Sequence, residues 1–291
     1  MFQQLGLVGC GLMGGSFALA LKRAGLVGRV VGFSPSAATR ERALSMGVVD
    51  AVVSSVAEAA QGSDVVLVAV PVAATESTLA ALAGALSPTT LVMDVGSTKC
   101  DVVAAAQRAL GASIASFVPA HPIAGKEVAG VEHADAALYA GCQVILTPSA
   151  STAATPLAQA DAVWRALGGR VRHMSASAHD AAFAAVSHLP HLLAFAMMNG
   201  ISSQANSSEL LSLAGPGFRD FTRIAASDPA VWRDVFLANR DEVLAQIGHF
   251  SASLAALEQA VAQADASGIQ SLITQASTAR KAWHLGADAD H

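Results

Sequence analysis

A short apolar run, Leu5 to Val8, leads straight into glycines at Gly9, Gly11 and Gly14, and this turn constrains the fold more than any other feature of the chain. Glycine at the first position tolerates a tight turn, at the second lets backbone approach a pyrophosphate, and at the third lets a helix pack closely on the strand. A helix expected over 14–24 aims its free N–H groups at phosphate. A second strand, Arg29 to Phe33, closes the unit. Glycines alone also fit an ordinary strand-to-helix turn; the strand before them and the helix and strand after them favour a dinucleotide-binding unit. Leu12 and Met13 join the three glycines in the expected cofactor set. Val70 and Pro71, which close the buried strand Val65 to Val70, belong to it too, as does Ser97.

The end of the second strand bears on which dinucleotide binds. An NAD site usually carries Asp or Glu about 20 residues after the glycines, where a carboxylate takes both ribose hydroxyls. Here the residue is Ser34, with Thr39 and Arg40 close behind. Hydroxyls and a guanidinium suit a 2′-phosphate that a carboxylate would repel. NADP is therefore the expected cofactor. The alternative is NAD, with Arg40 and Arg42 merely solvating a helix face.

At 291 residues the chain exceeds the size at which single cores usually stop growing, so two domains are expected. Strand patterns recur at Leu91 to Val95, Ser116 to Ala120, Gln143 to Leu146 and 168–173, with helices between them near Val72 to Ala85 and Lys99 to Leu110. That alternation reads as an α/β, Rossmann-like, mainly parallel sheet. From Ser177 onward only helical patterns remain. The predicted domains are 1–172, dinucleotide-binding, and 173–291, helical, for substrate binding and dimerisation. So apolar a helical part is expected to hide surface against a second copy, although a self-contained bundle fits the same pattern.

A net charge of −5 with no basic run argues against nucleic acid as a partner. Cys10, Cys100 and Cys142 are odd in number and lack metal-ligand spacing, as in a reducing compartment. No secretory signal pattern opens the chain, and a cytoplasmic protein is expected. Ala181 to Ile201 carries no charged residue over a bilayer-spanning length, but His188, Pro190, His191 and Asn199 suit a buried helix lining a site, broken or kinked at Pro190. No membrane partner is expected.

Ligands of open α/β sheets lie beyond the carboxyl ends of the strands. His121, expected at such an end, is the candidate for acid–base work, against the commoner structural role of a lone histidine. Arg223, among aromatic residues, can bind a carboxylate in bidentate fashion or form an internal ion pair with Asp220 or Asp228. No histidine spacing argues for a metal.

Taken together, Gly-Leu-Met-Gly-Gly-Ser at 11–16, Asp-Val-Gly-Ser-Thr-Lys at 94–99, His-Pro-Ile-Ala-Gly at 121–125, Ser-His-Leu-Pro-His at 187–191, Gly-Phe-Arg-Asp-Phe-Thr-Arg-Ile-Ala at 217–225 and Ser-Asp-Pro at 227–229 resemble the prephenate/arogenate dehydrogenases of tyrosine biosynthesis. The resemblance spans most of the chain in order. It implies a helical dimerisation domain, a homodimer, and oxidative decarboxylation of a cyclohexadienol such as prephenate or arogenate. On that resemblance His121 is the catalytic histidine, Ser97 shares its contact with the ring hydroxyl, and Arg223 holds a substrate carboxylate. His188, His191, Glu127 and Trp232 fall in the substrate pocket. Lys126 stands where many relatives carry Thr, which leaves side-chain preference open.

Two rival readings are a 3-hydroxyacid dehydrogenase and a non-catalytic nucleotide sensor. The first resembles its relatives in using a lysine of the helical domain, and no Lys occurs here between Lys126 and Lys281. The second has no need of His121, Ser97 and Arg223 together.

Overall fold

The computed structural model describes residues 1–126 and 128–284. The chain opens with β1 (Phe2–Val8), α1 (Leu12–Arg23), β2 (Val27–Phe33), α2 (Ala37–Ser45), β3 (Ala51–Val52), α3 (Val56–Ala60), β4 (Val65–Val68), α4 (Thr75–Ala83), β5 (Leu91–Asp94), α5 (Cys100–Ala109) and β6 (Phe117–Val118). These six strands pair in parallel in the order β3-β2-β1-β4-β5-β6. The strand order reverses between β1 and β4, which opens a crevice at their carboxyl ends. Val65, Val66, Leu67 and Val68 of β4 are all buried, as expected of a strand covered on both faces.

The expected strand Ser116 to Ala120 is in fact two. Pro119 interrupts it, and β7 (Ala120–Pro122) leaves the parallel sheet to pair antiparallel with β8 (Gln143–Leu146), which in turn pairs parallel with β9 (Arg170–His173). A proline has no N–H to give a ladder, so the chain changes sheets there. His121 therefore lies inside a strand, opposite Ile145, rather than in the loop after one. Likewise Val70 and Pro71 lie beyond β4, which ends at Val68.

Between β8 and β9, α6 (Ala154–Ala166) supplies Trp164, fully buried against Phe17 and Tyr139 with ring centroids 5.0 and 5.2 Å away. The Tyr139 hydroxyl donates to the Met13 carbonyl at 2.7 Å, and the Asp135 amide donates to Ser16 Oγ at 2.9 Å. The segment before β8 is thereby tied to the first turns of α1, next to the glycines.

After β9 the described chain is helical: α7 (Ala176–Phe183), α8 (Leu189–Ser202), α9 (Ser207–Ser212), α10 (Pro216–Thr222), α11 (Pro229–Ala238), α12 (Arg240–Ala262) and α13 (Ala266–Ala282). Pro190 neither ends nor interrupts the helical path, which runs from Ala176 to Ser202. A single π-helical turn, Ala184–His188, precedes it instead. The wider turn shifts the hydrogen-bond register just ahead of a residue that cannot donate. By length and composition this stretch could cross a membrane. Its buried His179, Asp180 and His188, however, all hydrogen-bond to other residues of the fold.

The chain separates into two compact units, Met1–Arg240 and Asp241–His291. In the second unit α12 and α13 leave Leu244, Leu254, Leu257, Val261 and Ile273 exposed.

Candidate active site

The glycine turn sits at the crevice. Gly9 has φ +102°, and a Cβ there would meet the Ala69 carbonyl oxygen at 2.1 Å, because the chain leaving β4 runs directly alongside, with the Ala69 amide donating to the Val8 carbonyl. A Cβ at Gly14 would meet the Gly9 carbonyl oxygen at 2.1 Å, so α1 packs on the turn only without a side chain. At Gly11 the space is open within 4 Å. Gly11 is also the N-cap of α1, and no side chain caps that helix. Open room in front of uncapped amides is what a pyrophosphate needs, and these residues fit a dinucleotide. At the end of β2 Ser34 is buried, and Arg40 donates to the carbonyls of Ser34 and Pro35 with its guanidinium 6.0 Å from the Phe33 ring centroid. Thr39 donates its amide to Ser36 Oγ in the first turn of α2.

Across the crevice a chain of polar groups converges on β7. Asp94, the last residue of β5, accepts from the Ala120 amide at 3.0 Å and the Gly96 amide at 2.8 Å, and pairs with Lys99. Lys99 is fully buried and also donates to the Ala120 carbonyl at 2.9 Å. This ion pair thus grips both backbone groups of the residue before His121. His121 Nδ1 lies 2.8 Å from His179 Nε2, and His179 Nδ1 lies 2.7 Å from Asp180 Oδ1. Asp180 accepts the amides of Lys99 and Cys100, each at 2.8 Å, at the start of α5. Its backbone carbonyl takes a 2.8 Å bond from Asn239 Nδ2, which also lies 3.1 Å from His188 Nδ1.

Burial, with the neighbouring His179, Lys99 and His188, holds the His121 pKa well below 6.5. The ring is neutral at neutral pH and able to accept a proton. Burial lowers His179 as well, against the pull of Asp180. It takes His188 to about 4. Burial opposes ionisation of Asp180, but bonds from His179 and from the Cys100 and Lys99 amides outweigh it and bring its pKa below the ordinary 3.8.

The other expected site residues spread over the neighbouring helices. His191 stacks on Trp232 with centroids 3.6 Å apart, and His188 meets the same indole edge-on at 6.1 Å. The helix α11 that carries Trp232 packs on the turn Val72–Ala74, immediately after Pro71. Ser97 is half-buried in the loop between β5 and α5. Arg223 begins the 3-10 turn Arg223–Ala226 and lines a cavity of about 560 Å³ with Met198, Phe218, Arg219, Thr222, Ala225 and Ala226. The turn packs on α8, the helix that carries His191. Asp220 pairs with Arg219 at 3.0 Å, and Asp228 caps α11. Lys126 lies 3.5 Å from Asp135 and donates to the His133 carbonyl. Glu127 lies outside the described residues.

Sequence reasoning missed His179, Asp180 and Asn239. They sit 58 or more residues from His121, His179 and Asp180 in the alanine-rich helix α7 and Asn239 at the C-cap of α11. The available signal was an adjacent His-Asp pair in an alanine-rich helix, a placement that demands buried partners.

Comparison with known proteins agrees with this architecture. Residues 17–173 match the family described as prephenate dehydrogenase, nucleotide-binding domain, and residues 175–275 match prephenate dehydrogenase, dimerization domain. The cyclohexadienyl dehydrogenase of Zymomonas mobilis is 36% identical over 267 residues, which cover 91% of this chain and 90% of that protein. The prephenate dehydrogenase of A. aeolicus, solved in complex with hydroxyphenyl propionate and NAD+, is similar with a TM-score of 0.90 at 35% identity over 97% of this chain and 98% of its own. The arogenate dehydrogenase of Synechocystis has a TM-score of 0.81 at 26% identity, covering 96% and 99%. With both halves matched in order, the chain belongs to the prephenate/arogenate dehydrogenase family.

Proposed function

We propose that this chain carries out the oxidative decarboxylation of prephenate and/or arogenate, giving 4-hydroxyphenylpyruvate and/or tyrosine in tyrosine biosynthesis. The observation that carries the reading is His121, a neutral imidazole with Nδ1 engaged by His179, held on β7 beside the carboxyl ends of the parallel strands. When bound, the nicotinamide supplies the hydride acceptor.

The remaining work falls to the chain's own groups. As hydride leaves the hydroxyl-bearing ring carbon, His121 Nε2 takes the hydroxyl proton. The bond from the ring to its carboxylate then breaks, CO₂ departs, and the electron pair completes an aromatic ring. The proton returns from His121 to the phenolate oxygen. No proton is gained or lost overall, so the base need only hold one briefly, which suits an imidazole with a depressed pKa. Ser97 shares the contact with the ring hydroxyl. Arg223 anchors a substrate carboxylate, and His188, His191, Glu127 and Trp232 shape the pocket around the remainder.

The cofactor reading is NADP, with NAD as the alternative. Gly9, Gly11, Leu12, Met13, Gly14, Val70, Pro71 and Ser97 hold the dinucleotide, and Ser34, Thr39 and Arg40 meet the 2′-phosphate. What supports NADP is the lack of a carboxylate at Ser34 and a guanidinium folded against that residue's carbonyl. The A. aeolicus relative was solved with NAD+, which keeps the alternative in play. Residues 1–172 serve as the nucleotide-binding domain and 173–291 as the substrate-binding and dimerisation domain of a homodimer. The exposed leucines of α12 and the match to a dimerization domain support that assembly. We place the enzyme in the cytoplasm.

Steady-state assays with prephenate and arogenate, each with NADP and NAD, test the proposal by following reduced nicotinamide and aromatic product together. Turnover of at least one substrate is expected, with higher kcat/KM for NADP. No turnover in any of the four combinations would end the enzymatic reading, and a strong NAD preference would end the cofactor reading alone.

A further inference from the structure

Asp180 is the fixed point of the chain of groups behind His121. It accepts two backbone amides at the start of α5, and with those bonds it stays ionised and can only accept. The 2.7 Å contact to His179 therefore requires a proton on His179 Nδ1. A neutral His179 then has a lone pair at Nε2, and the 2.8 Å contact to His121 requires a proton on His121 Nδ1. His121 Nε2 is left with the lone pair. One buried carboxylate thus decides, through two rings, which nitrogen of His121 can act as a base.

We propose that His179 and Asp180 are positioning residues that lock His121 in its Nδ1–H tautomer and share the positive charge that forms when its Nε2 accepts a proton. The inference rests on His121 being the base in the proposed reaction. Phe183 supports the arrangement mechanically: its ring stacks on His179 at 4.4 Å between centroids and tilts against His121 at 4.8 Å, so neither imidazole can turn freely. Asn239 Nδ2 holds the Asp180 carbonyl. The charged and titratable groups facing the pair are Lys99 and Asp94 from the β5–α5 region, His188 from the π turn, and Asp180 itself.

The test uses the intact enzyme. In Asp180→Asn an amide replaces the obligate acceptor. Its N–H can donate to His179 Nδ1, which would reverse both rings and place a proton on His121 Nε2. Turnover should fall on the order of 10²-fold or more, as when a catalytic histidine is held in the wrong tautomer. With the negative charge gone, the acid limb of kcat should also move to lower pH, because the protonated pair loses its counter-charge. His179→Phe removes the acceptor for His121 and should lower kcat about as much. His179→Gln can accept from His121 through Oε1 and donate to Asp180 through Nε2, so it should stay within about tenfold of the wild type. KM for the cofactor should hardly move in any of them.

A readout independent of turnover is the ¹⁵N spectrum of the imidazoles in the wild-type protein, assigned by the loss of signals in His121→Ala and His179→Gln. Both rings should be Nδ1–H tautomers. An Nε2–H tautomer at either ring overturns the proposal. So does equal loss in His179→Gln and His179→Phe, which would mean a packing role only, or near-normal kcat in both Asp180→Asn and His179→Phe. The underlying reading fails separately: if His121→Ala turns over normally, His121 is not the base, whereas an inactive His121→Ala beside active relay variants rejects the relay alone.

Discussion

Lys99→Met removes one charge from a fully buried ion pair while nearly keeping the length of the side chain, so it isolates electrostatics from packing. Removing one partner of such a pair typically costs about 3–5 kcal/mol, because the other charge stays buried without its counter-ion. Here Asp94 keeps two backbone donors, the amides of Gly96 and Ala120, which places the loss at the lower end, about 3 kcal/mol. The Ala120 carbonyl also loses its bond from Lys99, for about a further 1 kcal/mol. A total near 4 kcal/mol corresponds to a fall in Tm of about 8–16 °C for a chain of this size. Urea denaturation of Lys99→Met, Asp94→Asn and the double variant forms a cycle, and the double variant should lose at least about 1 kcal/mol less than the sum of the singles. Because Ala120 precedes His121, kcat should drop as well. A loss under about 1 kcal/mol in Lys99→Met, or strict additivity in the cycle, would refute the idea that this pair secures β7.

Three further outcomes are expected. Gly14→Ala drives a methyl group to 2.1 Å from the Gly9 carbonyl oxygen, and KM for the dinucleotide should rise at least about tenfold while the protein stays folded by circular dichroism. Acid should weaken the fold through His188: its folded pKa is about 4 against 6.5 for the free side chain, so below pH 6.5 the unfolded chain takes up protons that the folded one refuses. Stability contributed above pH 6.5 is then lost progressively down to about pH 4, roughly 3 kcal/mol in all, and urea midpoints for the wild type and His188→Gln should diverge accordingly. Arg223→Ala should raise KM for prephenate by about tenfold or more with a smaller change in kcat, and an unchanged KM would remove Arg223 from the substrate site.

The glycine turn, the run of β-branched strands and the switch to helices after 173 were readable because each is local: a period of two, a period near 3.6, and residues that only certain turns accept. What lay beyond that reading was non-local. Nothing around Ser116 to Ala120 tells which sheet each half of the segment will join, and Pro119 decides it only because β5 and β8 offer competing partners. His121 was singled out as a residue, but the groups that govern its ring are contributed by α7, 58 residues further on. Their spacing carries no periodic signature. Pro190 misled in a different way, since a proline in a helical pattern signals a break unless the preceding turn widens to absorb it.

That widened turn sets the length of the Ala176–Ser202 segment as firmly as its composition. The turn spends about one residue more than ordinary winding does, so it absorbs that residue with little net rotation, and a deletion within Ala184–Val186 that closed it would leave the downstream face nearly in place. Beyond the turn nothing absorbs a change of length: each residue of an α-helix advances the azimuth by about 100°, so loss of Leu189 would swing His191 off the indole of Trp232 while His188 keeps its place beside Asn239. The segment should therefore tolerate shortening at the wide turn and resist it immediately afterwards.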